Sequence, residues 1–235
     1  MSGPGFPLPG SLAIVIPVLH EAARLPATLS RLAAAAPGVE IVVVDGGSAD
    51  DSVAVARGQG ARVMFAARGR GAQLAAGIAA TGAPWLLLLH ADTVLAPGWG
   101  AVVARFIAEP EAGARAGYFR FALAERAPWA RRLARVVAWR ARVLGLPYGD
   151  QGLVISRALL ERSGGIAALP LMEDVDLVRR LGRRRLVPLA ADAVTSAARY
   201  GRGWRRRSFR NLVCLGLYFL GVKPARLAGL YHGGG

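Results

Sequence analysis

Trp85-Leu86-Leu87-Leu88-Leu89-His90-Ala91-Asp92-Thr93 is the stretch on which the reading of this chain turns. Five apolar residues run without a break into a polar cluster that carries one carboxylate. Gly82-Ala83-Pro84 precedes the run and Pro97-Gly98 follows it, so turn formers bound a short, continuously apolar segment. That pattern fits a strand buried on both faces, as in a parallel sheet. Ligands of open α/β sheets bind just beyond the carboxyl ends of such strands, and Asp92 stands at such an end. Two readings are open from this stretch alone: Asp92 caps a turn or helix, or it serves a metal and a phosphorylated ligand.

Working outward, the preceding chain repeats the same unit. Ser11–Pro17 reads as a first buried strand and His20–Ala36 as a helix closed by Pro37-Gly38. Ile41–Asp45 is a second strand, and Gly46-Gly47-Ser48 turns it into a helix near Asp50. Ala61–Phe65 is a third strand, and Arg68-Gly69-Arg70-Gly71 leads into a helix over Ala72–Thr81. A β-α-β-α-β-α-β order with short connections predicts an α/β fold, a mostly parallel sheet flanked by helices. A dinucleotide fingerprint is excluded, because Pro17–Glu21 contains no glycine and Gly69-Arg70-Gly71 lacks the remaining spacing.

The second half is less regular. Helices are expected over Trp99–Ala108, Trp129–Leu144, Arg157–Ser163 and from Glu173, whose acidic first turn suits the helix dipole. Strands are expected over Ala116–Leu123, Leu153–Ser156 and Leu186–Ala190, with Gly149-Asp150-Gln151-Gly152 as a loop. In the basic helix Trp129–Leu144, the expected packed stripe is Leu133, Val136, Val137, Arg140 and Leu144. Residues 1–10 read as a loose Gly/Pro-rich leader, 11–204 as one domain, and 205–235 as a basic, partly apolar helical tail.

Composition narrows the function. The chain has 235 residues, is 54% hydrophobic and carries a net charge of +15. Lys223 is the only lysine, so the excess charge is arginine, whose planar fork suits phosphate. Nucleic acid, an anionic membrane or a phosphorylated substrate would satisfy it. No zinc-finger spacing or RNP-type aromatic motif is present, which argues against nucleic acid. Cys214 stands alone, excluding an internal disulfide and a Cys-based metal site. No apolar run reaches the length of a membrane span, and the expected location is cytoplasmic, with peripheral contact at the inner membrane face as an option.

The 15 acidic residues are scarce enough to follow one by one. Asp45 and Asp92 end buried strands, Asp150 lies between glycines, and Glu173-Asp174 follow Leu169-Pro170-Leu171-Met172. Strand-end carboxylates amid arginine suit a hard divalent cation together with a diphosphate. Asp50, Asp51 and Asp176 read instead as caps or salt-bridge partners.

These residues resemble the family 2 glycosyltransferases, inverting enzymes of the GT-A fold. Ile14-Val15-Ile16-Pro17-Val18-Leu19-His20-Glu21 is similar to the family's opening strand and turn. Val42–Asp50 is similar to its Val-Asp-Asp/Gly-Gly-Ser-x-Asp motif. His90-Ala91-Asp92 stands at its Asp-x-Asp, and Glu173-Asp174 at its Glu-Asp. A closer resemblance is to a bacterial subgroup labelled as arsenosugar-biosynthesis or radical-SAM-selenodomain-associated glycosyltransferases. It shares the His-Ala-Asp-Thr, Arg-Gly-Arg-Gly-Ala-Gln, Gly-Asp-Gln and Pro-Leu-Met-Glu-Asp strings.

The resemblance implies roles. Pro17, Glu21, Asp45, Arg68, Arg70, Ala91 and Asp92 would bind the nucleotide of a nucleotide-diphosphate sugar, with UDP expected. Asp92 would hold Mg2+ or Mn2+, Asp174 would be the general base, and Asp150, Gln151 and Glu173 would line the side of an unidentified acceptor. His90 departs from the family's first Asp, as a ligand or as a hydrogen-bonding neighbour. His20 and Ala75 each replace a usual Asn. In the tail, Arg199, Arg202 and Trp204 would contact the diphosphate, or the segment from Arg199 to Leu220 would lie on an anionic membrane, or the helix would pack on the domain or a second subunit. Two other classes compete: a sugar-phosphate nucleotidyltransferase, whose Gly-rich loop after the first strand is missing from the Pro17–Glu21 turn, and a non-catalytic Arg-rich nucleic-acid-binding module, which leaves the carboxylates unexplained.

Overall fold

The first strand, β1 (Leu12–Val18), shows why the apolar runs are continuous. Leu12, Ile14, Ile16 and Val18 enter one core while Ala13 and Val15 enter another on the opposite face of the sheet. Side chains alternate across a strand, so a strand covered on both sides must be apolar at every position. β4 (Trp85–Leu88) obeys the same rule, with Leu87 on the first face and Leu86 and Leu88 on the second.

The computed structural model describes residues 8–125, 127–195, 204–224, 226–227 and 229. The remaining elements run α1 (Leu25–Ala35), β2 (Glu40–Asp45), α2 (Ser52–Gly58), β3 (Arg62–Phe65) and α3 (Arg70–Ala80) before β4. After it come β5 (Thr93–Leu95), α4 (Trp99–Ile107), β6 (Ala116–Leu123), α5 (Pro128–Val143), β7 (Leu153–Ser156), α6 (Arg157–Arg162), α7 (Glu173–Leu181), β8 (Leu186–Thr195) and α8 (Trp204–Phe219).

The eight strands form one sheet in the order β3-β2-β1-β4-β7-β6-β8-β5. The α/β architecture holds. Its first half, β3-β2-β1-β4, is parallel throughout, whereas β7 runs antiparallel to both β4 and β6. Thr93 does more than end the opening stretch: it begins β5, which pairs antiparallel with β8 at the far end of the strand order. Only residues 89–92 separate β4 from β5, a span of at most about 17 Å. The second half of the sheet must therefore curl back toward β4, and the His90-Ala91-Asp92 turn lies in the hinge of that curl. Thr28 Oγ1, on α1, pins the turn by donating to the Ala91 carbonyl at 2.8 Å.

Three expectations need correction. β8 extends to Thr195, five residues past the expected end, because its outer half pairs with β5. Leu8 is no loose leader; it is buried in the first core. The stripe expected on α5 is displaced: Val137 and Arg140 are at least half-buried, but Val136 and Leu144 are exposed. Ala130, Val137 and Ala141 make the buried face instead. Of the readings given for the tail, α8 follows the one in which it packs on the domain: Leu215 and Tyr218 pack on Leu146, Val175 and Val178. Among the described residues no helix is long and apolar enough to cross a membrane.

Candidate active site

The parallel strands deliver their following loops to one edge, where neighbouring loops tie each other down. The His20 amide donates to Ser48 Oγ at 3.0 Å, Glu21 N to Ser52 Oγ at 2.9 Å, and Ala22 N to Asp50 Oδ2 at 3.1 Å. Ala49 N in turn donates to His20 Nδ1 at 3.2 Å. Asp50 is thus the loop-holding residue its spacing suggested, and Ser52 lowers its pKa by hydrogen bonding. Asp176 likewise pairs with Arg180 at 2.7 Å. His20 takes a positive φ of 55°, as does Met172 at 69°. A left-handed backbone is unusual for a residue bearing a Cβ and clusters at functional sites.

A cavity of about 260 Å3 opens on this edge, lined by Pro17, Glu21, Arg68, Arg70, Gln73, His90, Ala91 and Asp92, with Pro170 and Leu171 among its other walls. All of the expected nucleotide-binding residues except Asp45 line it. Asp45 lies one layer behind: buried at the end of β2, its Oδ2 accepts from Gly47 N at 2.8 Å and Ser48 N at 2.9 Å. Arg68 and Arg70 stand at the start of α3, where the positive end of the helix dipole favours an anion.

Gln73 was quoted in the sequence only as part of a string, yet it organises this wall. Its buried amide donates to the carbonyls of Val18 at 2.8 Å and Val44 at 2.7 Å, joining the ends of β1 and β2. Its spacing, one helical turn after Gly69, is the sequence signal for that role. The loop before α7 fits against the same helix. A methyl group at Gly71 would overlap the Ala167 carbonyl, and Gly71 N donates to Leu169 O at 3.3 Å.

Across His90 lies a second, smaller cavity of about 30 Å3, lined by Tyr148, Gly149, Glu173 and Asp174 among others. His90 lines both cavities. Its imidazole lies so close to Gly149 that a Cβ there would collide with Nε2. Asp174 is held by two backbone donors, Gly149 N on Oδ2 and Val175 N on Oδ1, both at 2.7 Å. Glu173 is 1% exposed, and neither of its carboxylate oxygens has a hydrogen-bond partner among the described residues. Burial, with Asp174 as a second cause, pushes its pKa up to about 7, against the opposing pull of Arg70. Burial also pushes the Tyr148 phenol up to about 12 although Arg140 lies 3.4 Å over its ring.

The other expected acceptor-side residues separate. Asp150 is near enough to Tyr148 to act on its phenol. Gln151 is turned away: buried to 1%, its amide donates to Phe119 O at 3.0 Å and supports the sheet. Arg199 and Arg202 lie outside the described residues, as does the side chain of Trp204 at the start of α8.

Mg2+ or Mn2+ is implied by the family resemblance, so the donor set must be tested against it. Among the described residues no group of three or more His, Cys, Asp or Glu is placed to hold a metal ion. Two carboxylates line the cavity that the two arginines share: Asp92, 4% exposed, and Glu21, which pairs with Arg24 at 3.0 Å. This fits Mg2+-like binding, in which one or two carboxylates and the substrate's phosphates provide the ligands. It does not fit an all-protein cage.

The model of the glycosyl transferase family 2 matches residues 13–168, more than half of the chain. An uncharacterized glycosyltransferase of Mycobacterium bovis is 33% identical over 136 residues, covering 56% of this chain and 60% of the relative. One from Mycobacterium tuberculosis matches equally. The matched region thus spans about three fifths of these relatives' length. Among solved structures, the fold is similar to glucosyl-3-phosphoglycerate synthase from Mycobacterium tuberculosis in complex with Mn2+, UDP-glucose and phosphoglyceric acid. That likeness has a TM-score of 0.58 at 21% identity and covers 76% of this chain and 68% of that one. The same enzyme with Mg2+ and UDP gives a TM-score of 0.59 at 21% identity, covering 79% and 69%.

Proposed function

The chain belongs to glycosyl transferase family 2, and on that premise we propose that it is an inverting, metal-dependent transferase that uses a UDP-sugar donor. One observation carries the reading: His90 lines both the arginine- and Asp92-lined cavity and the smaller cavity that Asp174 lines. A leaving-group clamp and a base in two cavities that share one residue suit displacement with inversion, in which attack and departure occur on opposite faces of the sugar.

In this reading Pro17 and Glu21 contact the nucleoside, while Asp45 shapes the Gly47–Ser48 turn beside it. Arg68, Arg70 and the start of α3 bind the diphosphate and neutralise charge as it departs. Asp92 holds Mg2+ or Mn2+, which would supply Lewis-acid stabilisation of the leaving diphosphate. Asp174 takes the proton of the acceptor hydroxyl as that oxygen attacks the anomeric carbon. Its two backbone hydrogen bonds fix the carboxylate for that task. His90 orders the boundary between donor and acceptor by packing on Gly149, the residue that donates to Asp174. The complexes of the structural relative with UDP, UDP-glucose and Mn2+ support this assignment of the donor.

Thermal unfolding with UDP, with and without Mn2+, tests the reading. The expected result is a rise in Tm of several degrees that depends on the metal and disappears in Asp92→Ala. If no nucleoside diphosphate, with either metal, moves the wild-type Tm, the donor assignment is wrong.

A further inference from the structure

α5 is arranged inside out for a surface helix. The face it turns to the sheet is built largely from small residues, Ala130, Val137 and Ala141, which let it lie close against β6. Trp129 and Leu133 are partly buried, but three other apolar residues point outward: Val136 is 60% exposed, Trp139 56% and Val143 45%. At 100° per residue these three fall within a sector of about 60°. Arg132 lies inside the same sector, and the exposed Arg135 and Arg142 border it. Of its 16 residues none is acidic.

The apolar surface continues past the helix end. Leu144 lines a groove of about 650 Å3 with Leu212 and Phe219 of α8, and Arg179 and Arg183 stand along it. The Arg179 guanidinium lies 4.8 Å over the Phe219 ring, and Arg183 donates to the Val143 carbonyl at 3.1 Å. Apolar residues and arginines therefore occur together on both sides of the junction.

We propose that this face docks on an anionic phospholipid bilayer. Aromatic and aliphatic side chains among arginines match the boundary of such a bilayer, where the rings enter the acyl edge and the guanidinium groups meet lipid phosphates. Charge complementarity selects this occupant. A second copy of the chain seated on the same face would set one acid-free, arginine-lined helix against another, within protomers that each carry +15. A nucleic acid would satisfy the arginines but would leave Val136 and Val143 without apolar partners. The contact lies away from the donor cavity and does not rest on the catalytic reading.

The test is partitioning of the full chain onto vesicles of mixed phosphatidylglycerol and phosphatidylcholine, against pure phosphatidylcholine. The wild type is compared with a Val136→Gln, Trp139→Gln, Val143→Gln variant at unchanged Tm. The expected result is binding to the anionic vesicles only, weakened about tenfold or more in the variant. Brominated phosphatidylglycerol should quench a part of the tryptophan fluorescence that is lost in Trp139→Phe. Equal binding by wild type and variant would mean that net charge alone holds the protein to the vesicle, and would overturn the proposal. A wild-type dimer in sedimentation that the variant turns into a monomer would assign the face to a second copy and overturn it as well.

Discussion

The two cavities meet at His90 but are built by different means. The donor side is held by hydrogen bonds between loops that are distant in sequence: His20 with Ser48, Glu21 with Ser52, Ala22 with Asp50, and Gln73 with the ends of β1 and β2. The proposed acceptor side combines burial with the two backbone hydrogen bonds that hold Asp174. It contains Glu173 with neither oxygen hydrogen-bonded among the described residues, Met172 in a left-handed conformation, and Gly149 pressed against an imidazole. A cavity that binds a fixed, highly charged diphosphate benefits from rigid dipoles set before the ligand arrives. The proposed acceptor side carries the perturbed acid, and each side carries one left-handed residue, His20 or Met172, features that collect at functional sites in enzymes.

That difference makes predictions. The largest effect should come from Asp174→Asn, which keeps the fold but removes the base. Transfer should fall by about 10²–10⁴-fold while UDP still raises the Tm as in wild type. Transfer at the wild-type rate would remove Asp174 from the mechanism and leave the acceptor side without a known base.

Glu173→Gln should act next most strongly, and on stability. A carboxyl raised from its usual value to about 7 retains in the folded state a proton that the unfolded chain has released. The stability it contributes is full below about pH 4.5 and is lost as pH rises through 7, a swing on the order of 3 kcal/mol at most. The amide cannot ionise. Calorimetry should therefore show the variant more stable than wild type above pH 7, with the two curves converging below about pH 5. Parallel curves across that window would show that Glu173 titrates normally.

The smallest effect belongs to Gln73→Ala on the donor side. It leaves the Val18 and Val44 carbonyls without their side-chain donor, at a cost of roughly 1–3 kcal/mol. Denaturant midpoints measure the loss, and titration with UDP should show weaker binding alongside it. A destabilised protein with unchanged UDP affinity would mean that the loop ends hold their positions without Gln73.

Much of this site was legible before any coordinates. Donor-side residues lie at strand ends or in the glycine turn, and a parallel sheet gathers such positions at one edge whatever the loops do. Asp92 was therefore readable from apolar runs and punctuation, whereas the role of Arg70 came from the family resemblance. Gln151 was not, because a turn residue beside Asp150 can face either way. Its burial against Phe119 depends on how β6 and β7 close over it. The α5 stripe failed for a related reason. Periodicity favours large apolar residues as the buried face, whereas close packing on β6 selected Ala130 and Ala141.

The sequence by itself determined the alternation of strands and helices, the family, and the identity of the carboxylates that end strands or start helices. These follow from local physics: runs that suit two-sided burial, glycines that permit turns, and acids that suit a helix start. Tertiary structure alone decided that β5 leaves β4 to pair with β8, so that the sheet curls, and that His90 lines both the cavity of Asp92 and that of Asp174. It also decided that Glu173 is buried beside Asp174 and that an apolar face of α5 looks outward. Each of these depends on the packing of segments far apart in the chain, where energy is set by which surfaces meet rather than by neighbours in sequence.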